Sequence, residues 1–357
     1  MPKKHLLALA LASLAATPAV ADNDALMQEL RRLAQRVEQL ESANKKLEAS
    51  LGQSAPSKEL AARVEDVENE VVALRKQPNP MEVFDGISVG ASLLMVAQKA
   101  DGGATDKTQF SSRADIEVEL PMGELGQAEG RLFAHFRAGD GDGVDTGAFA
   151  TSNATVFNFN QPVLMQAWYQ LDIPVGAAGG NLSRVEMTVG KIDPFGFFDG
   201  NGIADDESEQ FLNLAFIHNP LLDAGGDIGV GEHGASPGLR VAYIGDVNGG
   251  NNWAVSLGLF GAGEGADFAD TFEDPLAIAQ VEYVGKTFGG LSGGYRLYGW
   301  SNANSESFAG ERQRHSGLGL SLDQQVSEHV TLFSRLGKST GGDVAFDTAA
   351  TLGAELG

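Results

Sequence analysis

The feature that most constrains this chain is a two-residue alternation of apolar and polar side chains that begins after residue 81. Residues 113–120 show it clearly, because four apolar residues there alternate with Arg113, Asp115, Glu117 and Glu119. In a β-strand, successive side chains point to opposite faces, so each such strand has one apolar face and one polar face. The sequence therefore predicts β-strands over the whole second part of the chain.

The alternation recurs in about twelve runs, each close to ten residues long. These runs lie at 87–95, 113–120, 131–138, 165–173, 184–192, 238–246, 252–262, 276–286, 290–300, 315–324, 328–338 and 345–356. A tilted strand needs about 9–11 residues to cross a membrane. A soluble sandwich would show the same alternation with its polar face toward water, so the period alone does not separate the two folds.

The connections between the runs favour a membrane barrel. Short ones at 121–127, 174–183 and 324–327 alternate with long ones at 139–162, 193–236 and 263–275. Short periplasmic turns and long external loops are typical of outer-membrane barrels. We therefore predict an all-β, antiparallel transmembrane β-barrel over residues 83–357.

The first 21 residues have the composition of a secretory signal peptide. Lys3 and Lys4 precede a short apolar segment at 6–15, and Ala19-Val20-Ala21 is a small-residue cleavage pattern. The alternative is an apolar helix of a cytoplasmic protein. We predict export, with Asp22 as the mature N-terminus.

Residues 22–77 carry two heptad seams and predict an α-helical coiled coil. The first seam places apolar residues at alternating spacings of four and three, with Asn44 at one a position, and residues 52–56 separate it from the second. A seam this narrow favours pairing between chains, so we expect a periplasmic stalk, most simply a trimer. A helical hairpin that folds back at 52–56 is the alternative.

Composition excludes several functions. The formal net charge is -23, which argues against nucleic acid as a partner, and the absence of Cys excludes thiol chemistry and Cys-based metal sites.

The string at 290–294 fits G-x-S-x-G, but it lies inside an alternating strand with no helix after it. Asp140, Asp142 and Asp145 do not complete a calcium loop, since Val144 stands where an oxygen ligand is needed. We predict no enzyme activity, no metal and no cofactor.

Four segments carry a resemblance to a known family. The first is Gly190-Lys191-Ile192-Asp193-Pro194-Phe195-Gly196-Phe197-Phe198-Asp199, which continues through Asn201 and Asp205-Asp206-Glu207 to Gln210-Phe211-Leu212-Asn213. The others are Gly317-Leu318-Gly319-Leu320-Ser321-Leu322-Asp323-Gln324-Gln325-Val326, Leu332-Phe333-Ser334-Arg335-Leu336-Gly337 and Gln166-Ala167-Trp168-Tyr169-Gln170. Together they resemble the carbohydrate-selective porin family, typified by the glucose porin of pseudomonads, over roughly residues 83–357.

The resemblance implies a largely monomeric sugar channel of sixteen strands in the outer membrane of a Gram-negative bacterium. The pattern here supplies about twelve strands before the sequence stops at Gly357, so a truncated barrel is expected. The coiled coil departs from the simplest family pattern and resembles the periplasmic extension of sucrose porins or envelope-anchored porins. That extension would allow a homo-oligomer and contact with the cell wall.

We expect passive diffusion of small hydrophilic solutes, carbohydrates preferred, through a pore lined by charged and aromatic side chains. The candidates by strand parity are Arg113, Asp115, Arg131, His135, Arg137, Trp168, Gln170, Glu186, Arg240, Arg296, Trp300 and Arg335. Wall residues that only pair across strands are the alternative for each of them. The long, Phe-rich segment at 193–223 is the leading candidate for a loop that folds inward.

Three arginines among the candidates predict a transverse charge arrangement. Arg113, Arg131 and Arg137 share one face of two neighbouring strands, with Asp115 and Glu117 as suitable partners. The expected partners of the whole protein are outer-membrane lipid and small sugars. The competing function is a structural tether that joins the outer membrane to the cell wall through the stalk.

Overall fold

The computed structural model describes one antiparallel β-sheet and the loops that join its strands. It describes residues 86–101, 107–146, 150–176, 183–222, 233–247, 251–262, 270–306 and 311–357. The predicted signal peptide and coiled coil lie outside the described residues.

Twelve strands form the sheet in sequence order, and each is antiparallel to the next. They are β1 (Ser88–Ala100), β2 (Lys107–Leu125), β3 (Ala128–Gly141), β4 (Phe159–Val175), β5 (Ser183–Ile192), β6 (Ser236–Val247), β7 (Asn251–Phe260), β8 (Leu276–Lys286), β9 (Ser292–Glu306), β10 (Arg312–Ser327), β11 (Val330–Gly341) and β12 (Thr348–Leu356). Each of the twelve predicted runs overlaps one strand, so the all-β, antiparallel prediction is confirmed. Ser292, the serine of the G-x-S-x-G string, is the first residue of β9.

The connections alternate in length as predicted, but two of the short turns lie later than expected. Strand β2 continues past Pro121, across an irregularity in its pairing with β3, so the turn is only Gly126 and Gln127. Gly126 has a φ of 70°, a conformation that glycine adopts without strain. Strand β10 likewise continues to Ser327. One rim of the sheet thus carries tight turns, and we call the other, with the connections 142–158, 193–235 and 261–275, the long-loop rim.

The two faces of the sheet differ in the sense expected of a membrane barrel. Large apolar side chains on one face are strongly exposed, among them Leu93, Leu257, Leu297, Leu318 and Leu352. A soluble sheet would bury that face, whereas lipid is the natural solvent for it in a barrel. We call it the outward face, and the opposite one the polar face.

In the described ranges, helix is confined to short pieces, and none of these is long and apolar enough to cross a membrane. Helix α1 (Leu214–Ile217) lies within the connection between β5 and β6, and α2 (Asp270–Glu273) within that between β7 and β8. Asn213 caps α1 by accepting a hydrogen bond from the amide of Ala215.

The main apolar core lies between the polar face and residues 193–222, which we call the inner loop. Phe198 and Leu222 of that loop pack with Ile192, Phe260 and Leu276 of the sheet, and all five are fully or almost fully buried. Apolar side chains at these sheet positions explain why the loop settles there, since burying them against Phe198 removes both partners from water.

Candidate functional site

Strand register places all twelve predicted pore residues on the polar face. Arg131 of β3 lies opposite Gln170, which lies opposite Thr188, which in turn lies opposite Arg240 of β6. The same pairing continues through β7 to β11 and brings Arg335 onto this face. The inner loop covers part of this face.

Arg335 of β11 fixes the inner loop to the sheet. Its Nε donates to a carboxylate oxygen of Asp199 at 3.0 Å, and its Nη2 donates to the carbonyl of Asp199 and to the carboxylate of Asp205. Its Nη1 donates to the carbonyls of Ala204 and Phe216. The side chains of Arg335 and Asp199 are both fully buried, so this ion pair is withdrawn from solvent screening.

Asp199 gathers a second set of donors on the other side. The Tyr298 hydroxyl donates to its carboxylate at 2.7 Å, and the backbone amide of Asn219 donates at 2.6 Å. The side-chain amide of Asn219 in turn donates to the Tyr298 oxygen at 2.8 Å. Asp199 has a φ of 60°, a left-handed conformation that is uncommon for a residue other than glycine or asparagine. These donors satisfy the hydrogen-bonding capacity of the buried carboxylate.

Further contacts tie the inner loop to the strands on either side of that pair. The side-chain amide of Asn201 donates to the Ser321 hydroxyl of β10 at 3.1 Å, and the backbone amide of Gly202 donates to Asp323 at 3.0 Å. The backbone amide of Asp199 donates to Gln280 of β8 at 2.9 Å. The loop therefore crosses four strands, from β8 to β11.

The opposite side of the loop meets a cluster of charges on β2 and β3. Arg113, His135 and Arg137 surround Asp115, at 2.8 Å, 2.7 Å and 2.5 Å. Glu207 of the inner loop joins the cluster, 2.7 Å from Arg113 and 3.6 Å from Arg137. One loop can reach both β2 and β11 on their polar faces only if the sheet curls around it.

The predicted transverse arrangement needs two corrections. Arg131 is separate from the other two arginines, since it lies 3.7 Å from Glu119 and over the Trp168 ring. Among the described residues, the second carboxylate that pairs with Arg113 and Arg137 is Glu207, whereas the sequence predicted Glu117. The reason is that Glu207 lies in a loop far away in the sequence. Strand parity predicts which face a strand residue lies on, but not which loop residues contact that face.

Other predicted charges are paired within the wall. Arg240 donates to Glu186 at 2.8 Å, and Arg184 also reaches Glu186. Arg296 bridges two carboxylates, at 2.6 Å from Glu282 and 2.9 Å from Asp323. Nearby, Gln170 accepts from Thr188 at 3.0 Å. These contacts run across neighbouring strands, as the alternative for these residues requires.

The two predicted tryptophans are not open platforms for a solute. Trp168 and Trp300 are only 8% and 4% exposed and belong to the main core. Trp168 stacks on Phe133 with 4.8 Å between ring centres, and Phe197 of the inner loop packs against its edge. Sequence parity gave their face correctly but did not reveal that the inner loop covers it.

A cavity of about 700 Å³ remains between the inner loop and the first strands of the sheet. Its charged lining comprises seven carboxyl groups and two guanidinium groups: Asp115, Glu117, Asp193, Asp205, Asp206, Glu207, Glu209, Arg113 and Arg137. Burial raises the pKa of Asp205 to about 7, against the attraction of Arg335. The cavity is thus polar, acidic in sum, and bordered by planar donors. No group of three metal-ligating side chains suited to an ion occurs in the described ranges.

The antiparallel meander, the exposed apolar face and the loop folded onto the polar face define a porin-like outer-membrane barrel fold. Comparison with one solved structure supports this fold. The high-pH structure of Pseudomonas putida OprB superposes with a TM-score of 0.56 at 16% identity, covering 77% of this chain and 71% of that one. A triple mutant of the Rhodopseudomonas blastica porin aligns with a TM-score of 0.31 at 15% identity, over 76% of this chain and 89% of that one. No protein-family model and no curated protein sequence matches the chain.

Proposed function

We propose that the protein is an outer-membrane porin for passive diffusion of small hydrophilic solutes, with carbohydrates preferred. The observation that carries this is the inner loop, held at β2 and β3 by Glu207 and at β11 by Asp199. We expect a loop fixed at both sides of a curled sheet to narrow the passage, and the polar cavity of about 700 Å³ beside the loop supports this. The fold shared with OprB, a carbohydrate-selective porin, supports the proposal.

The chemistry of the cavity suits neutral polyols. Arg137 is 16% exposed and offers planar N–H donors beside carboxylate acceptors, a combination that matches the vicinal hydroxyl groups of a sugar. Anions would meet seven carboxyl groups along the lining, so we propose neutral or cationic solutes. Aromatic stacking on Trp168 or Trp300 is not part of this proposal, because both rings are buried.

Reconstitution in a planar bilayer tests the function. We expect single-channel conductance and a concentration-dependent block of the ion current by glucose or maltose. Arg137→Gln should weaken that block, because it removes a donor from the lining while Arg113 still pairs with Asp115 and His135 still contacts it. Arg184→Gln is the matched control, since Arg184 does not line the cavity.

The outcomes separate the competing functions. Conductance without sugar block would point to a general diffusion pore and contradict the carbohydrate preference. A folded protein that inserts but does not conduct would favour the structural tether, because an anchor needs no passage. We further propose that residues 22–77 form the periplasmic stalk, on the strength of their heptad seams.

A further inference from the structure

The inner loop places two stacked aromatic rings on the wall of the cavity. Phe195 and His218 lie face to face, with 3.6 Å between ring centres and an angle of 4° between the ring planes. Both side chains line the cavity of about 700 Å³, a volume within the range of about 300–1,000 Å³ that small-molecule sites occupy. Both are half-buried, whereas Trp168 and Trp300 are buried. These two residues, which we call the ring pair, therefore form an aromatic surface that a solute in the cavity can reach.

Local backbone contacts hold the ring pair in place. Asp193 accepts a hydrogen bond from the amide of Phe195 at 2.9 Å and so caps the single 3-10 turn Pro194–Gly196. The amide of His218 donates to the carbonyl of Leu214 at 3.2 Å, at the end of α1. A binding surface that is fixed before the solute arrives loses little conformational entropy when the solute binds.

The ring pair belongs to the apolar part of a lining that is otherwise polar. Leu214 and Ile217 of the inner loop line the cavity together with the two rings. Strands β2 and β3 supply polar lining residues: Arg113, Asp115, Glu117, His135 and Arg137. A pyranose has the same two characters, because its C–H groups form an apolar face and its hydroxyl groups point away from the ring. Its apolar face can lie on the rings while its hydroxyl groups meet the polar residues.

We propose that the ring pair is a stacking platform for the pyranose ring of a sugar that crosses the cavity. The platform makes the channel prefer cyclic sugars to open-chain polyols that carry the same kind of hydroxyl groups. An open-chain polyol can use the polar lining, but it has no flat C–H face to place on an aromatic ring. This inference rests on the proposed function and goes beyond it, because hydrogen bonding to the polar lining does not by itself separate the two classes of solute.

The alternative is that the two rings only fill space at the edge of the main core. Phe195 does pack against that core, so the alternative needs a control of the same kind. The inner loop supplies one, since Phe211 and Phe216 form a second stacked pair with 5.3 Å between ring centres. That pair packs on Phe333 and does not line the cavity. A general effect of loosening the loop should appear at both pairs, whereas a platform should appear only at the ring pair.

Block of the ion current by glucose and by sorbitol, its open-chain alditol, tests the proposal in a planar bilayer. The ratio of the two half-blocking concentrations measures the preference for the cyclic solute. We expect glucose to block the parent channel at the lower concentration. Phe195→Leu and His218→Leu should each reduce the ratio by about two- to tenfold, the effect of losing one aromatic stacking contact. His218→Phe should keep the ratio, because a flat ring remains, and the control Phe211→Leu should keep it too.

The outcomes separate the platform from the proposed function. Equal block of the parent by both solutes, or a parental ratio in the conducting leucine variants of the ring pair, would overturn the platform and leave a polyol-permeable pore. A reduction as large in Phe211→Leu would also overturn it. No block by either solute would instead contradict the carbohydrate preference and the platform with it. Should Phe195→Leu fail to conduct because it disturbs the edge of the core, the ratio in His218→Leu decides.

Discussion

Replacing Arg335 with Met should release the inner loop and widen the channel. Met keeps much of the volume of the arginine side chain. It removes the guanidinium donors that reach Asp199, Asp205, Ala204 and Phe216. Asp199 would then be a fully buried carboxylate with the Tyr298 hydroxyl and the Asn219 amide but no cation. An unpaired carboxylate has a much lower free energy in water than in a buried site. The loop that carries Asp199 should therefore move away from the sheet.

The size of the effect follows from the burial of both partners. Removing one member of a buried ion pair costs about 3–5 kcal/mol, because the other charge stays desolvated. That corresponds to roughly two to three and a half orders of magnitude in the equilibrium between a docked and a released loop. Arg184→Met is the matched control, since Arg184 also pairs with a carboxylate but is 46% exposed, and an exposed pair contributes at most about 1 kcal/mol.

Single-channel recording and hydrogen exchange measure the two consequences. The Arg335→Met channel should conduct more current and fluctuate more, and amides of the inner loop should exchange faster while those of the strands stay protected. Adding Asp199→Asn should restore part of the docking, because the uncompensated charge is then gone. Parental conductance and exchange in Arg335→Met would refute the view that this ion pair holds the loop.

Three further predictions address charge, orientation and assembly. The preference for cations should decrease as the pH falls through about 7, because Asp205 loses its charge there. Reversal potentials in a salt gradient measure this preference, and Asp205→Asn should make it less dependent on pH. Cysteines at Thr151, in a long connection, and at Gln127, in a tight turn, should differ in labelling by an impermeant reagent on intact cells; equal labelling would contradict the orientation. Gln127 is preferred to Gly126 because the positive φ of the glycine would strain a cysteine. A peptide of residues 22–77 should sediment as an oligomer, and a monomer at high concentration would exclude the stalk.

The sequence was sufficient for the strands because their signal is local. A period of two needs only neighbouring residues, and it located all twelve strands and the polar face of each. Turn positions were less accurate, because Pro121 and Gln324 look like strand ends but β2 and β10 continue past both. Proline is tolerated there beside an irregularity in the pairing.

The contacts of the site were harder to predict because they join residues far apart in the chain. Arg335 was chosen by parity, yet its partner Asp199 is 136 residues earlier, in a loop without periodicity. Asn219 was missed for the same reason, whereas Tyr298 shares the polar-face parity of Arg296 and Trp300 and could have been selected with them. One sequence signal was present: glycines alternate with leucines at 317–320, and a Cβ on Gly317 or Gly319 would overlap the ring of Trp300 or Tyr298. A glycine opposite an aromatic residue on the polar face therefore marks where a ring lies flat on the next strand.

The separation between Asp199 and Arg335 also sets an order of assembly. Every strand pairs with its neighbour in sequence, so the sheet can grow one hairpin at a time through short-range contacts. The inner loop leaves the sheet after β5, and Glu207 meets its partners on β2 and β3, whereas Asp199 meets its cation only on β11. Without β11, Asp199 has no cation in the docked position, which makes the burial of its carboxylate costly. Complete docking of the inner loop, and with it the full narrowing of the passage, therefore requires β11, whichever strands join the sheet first.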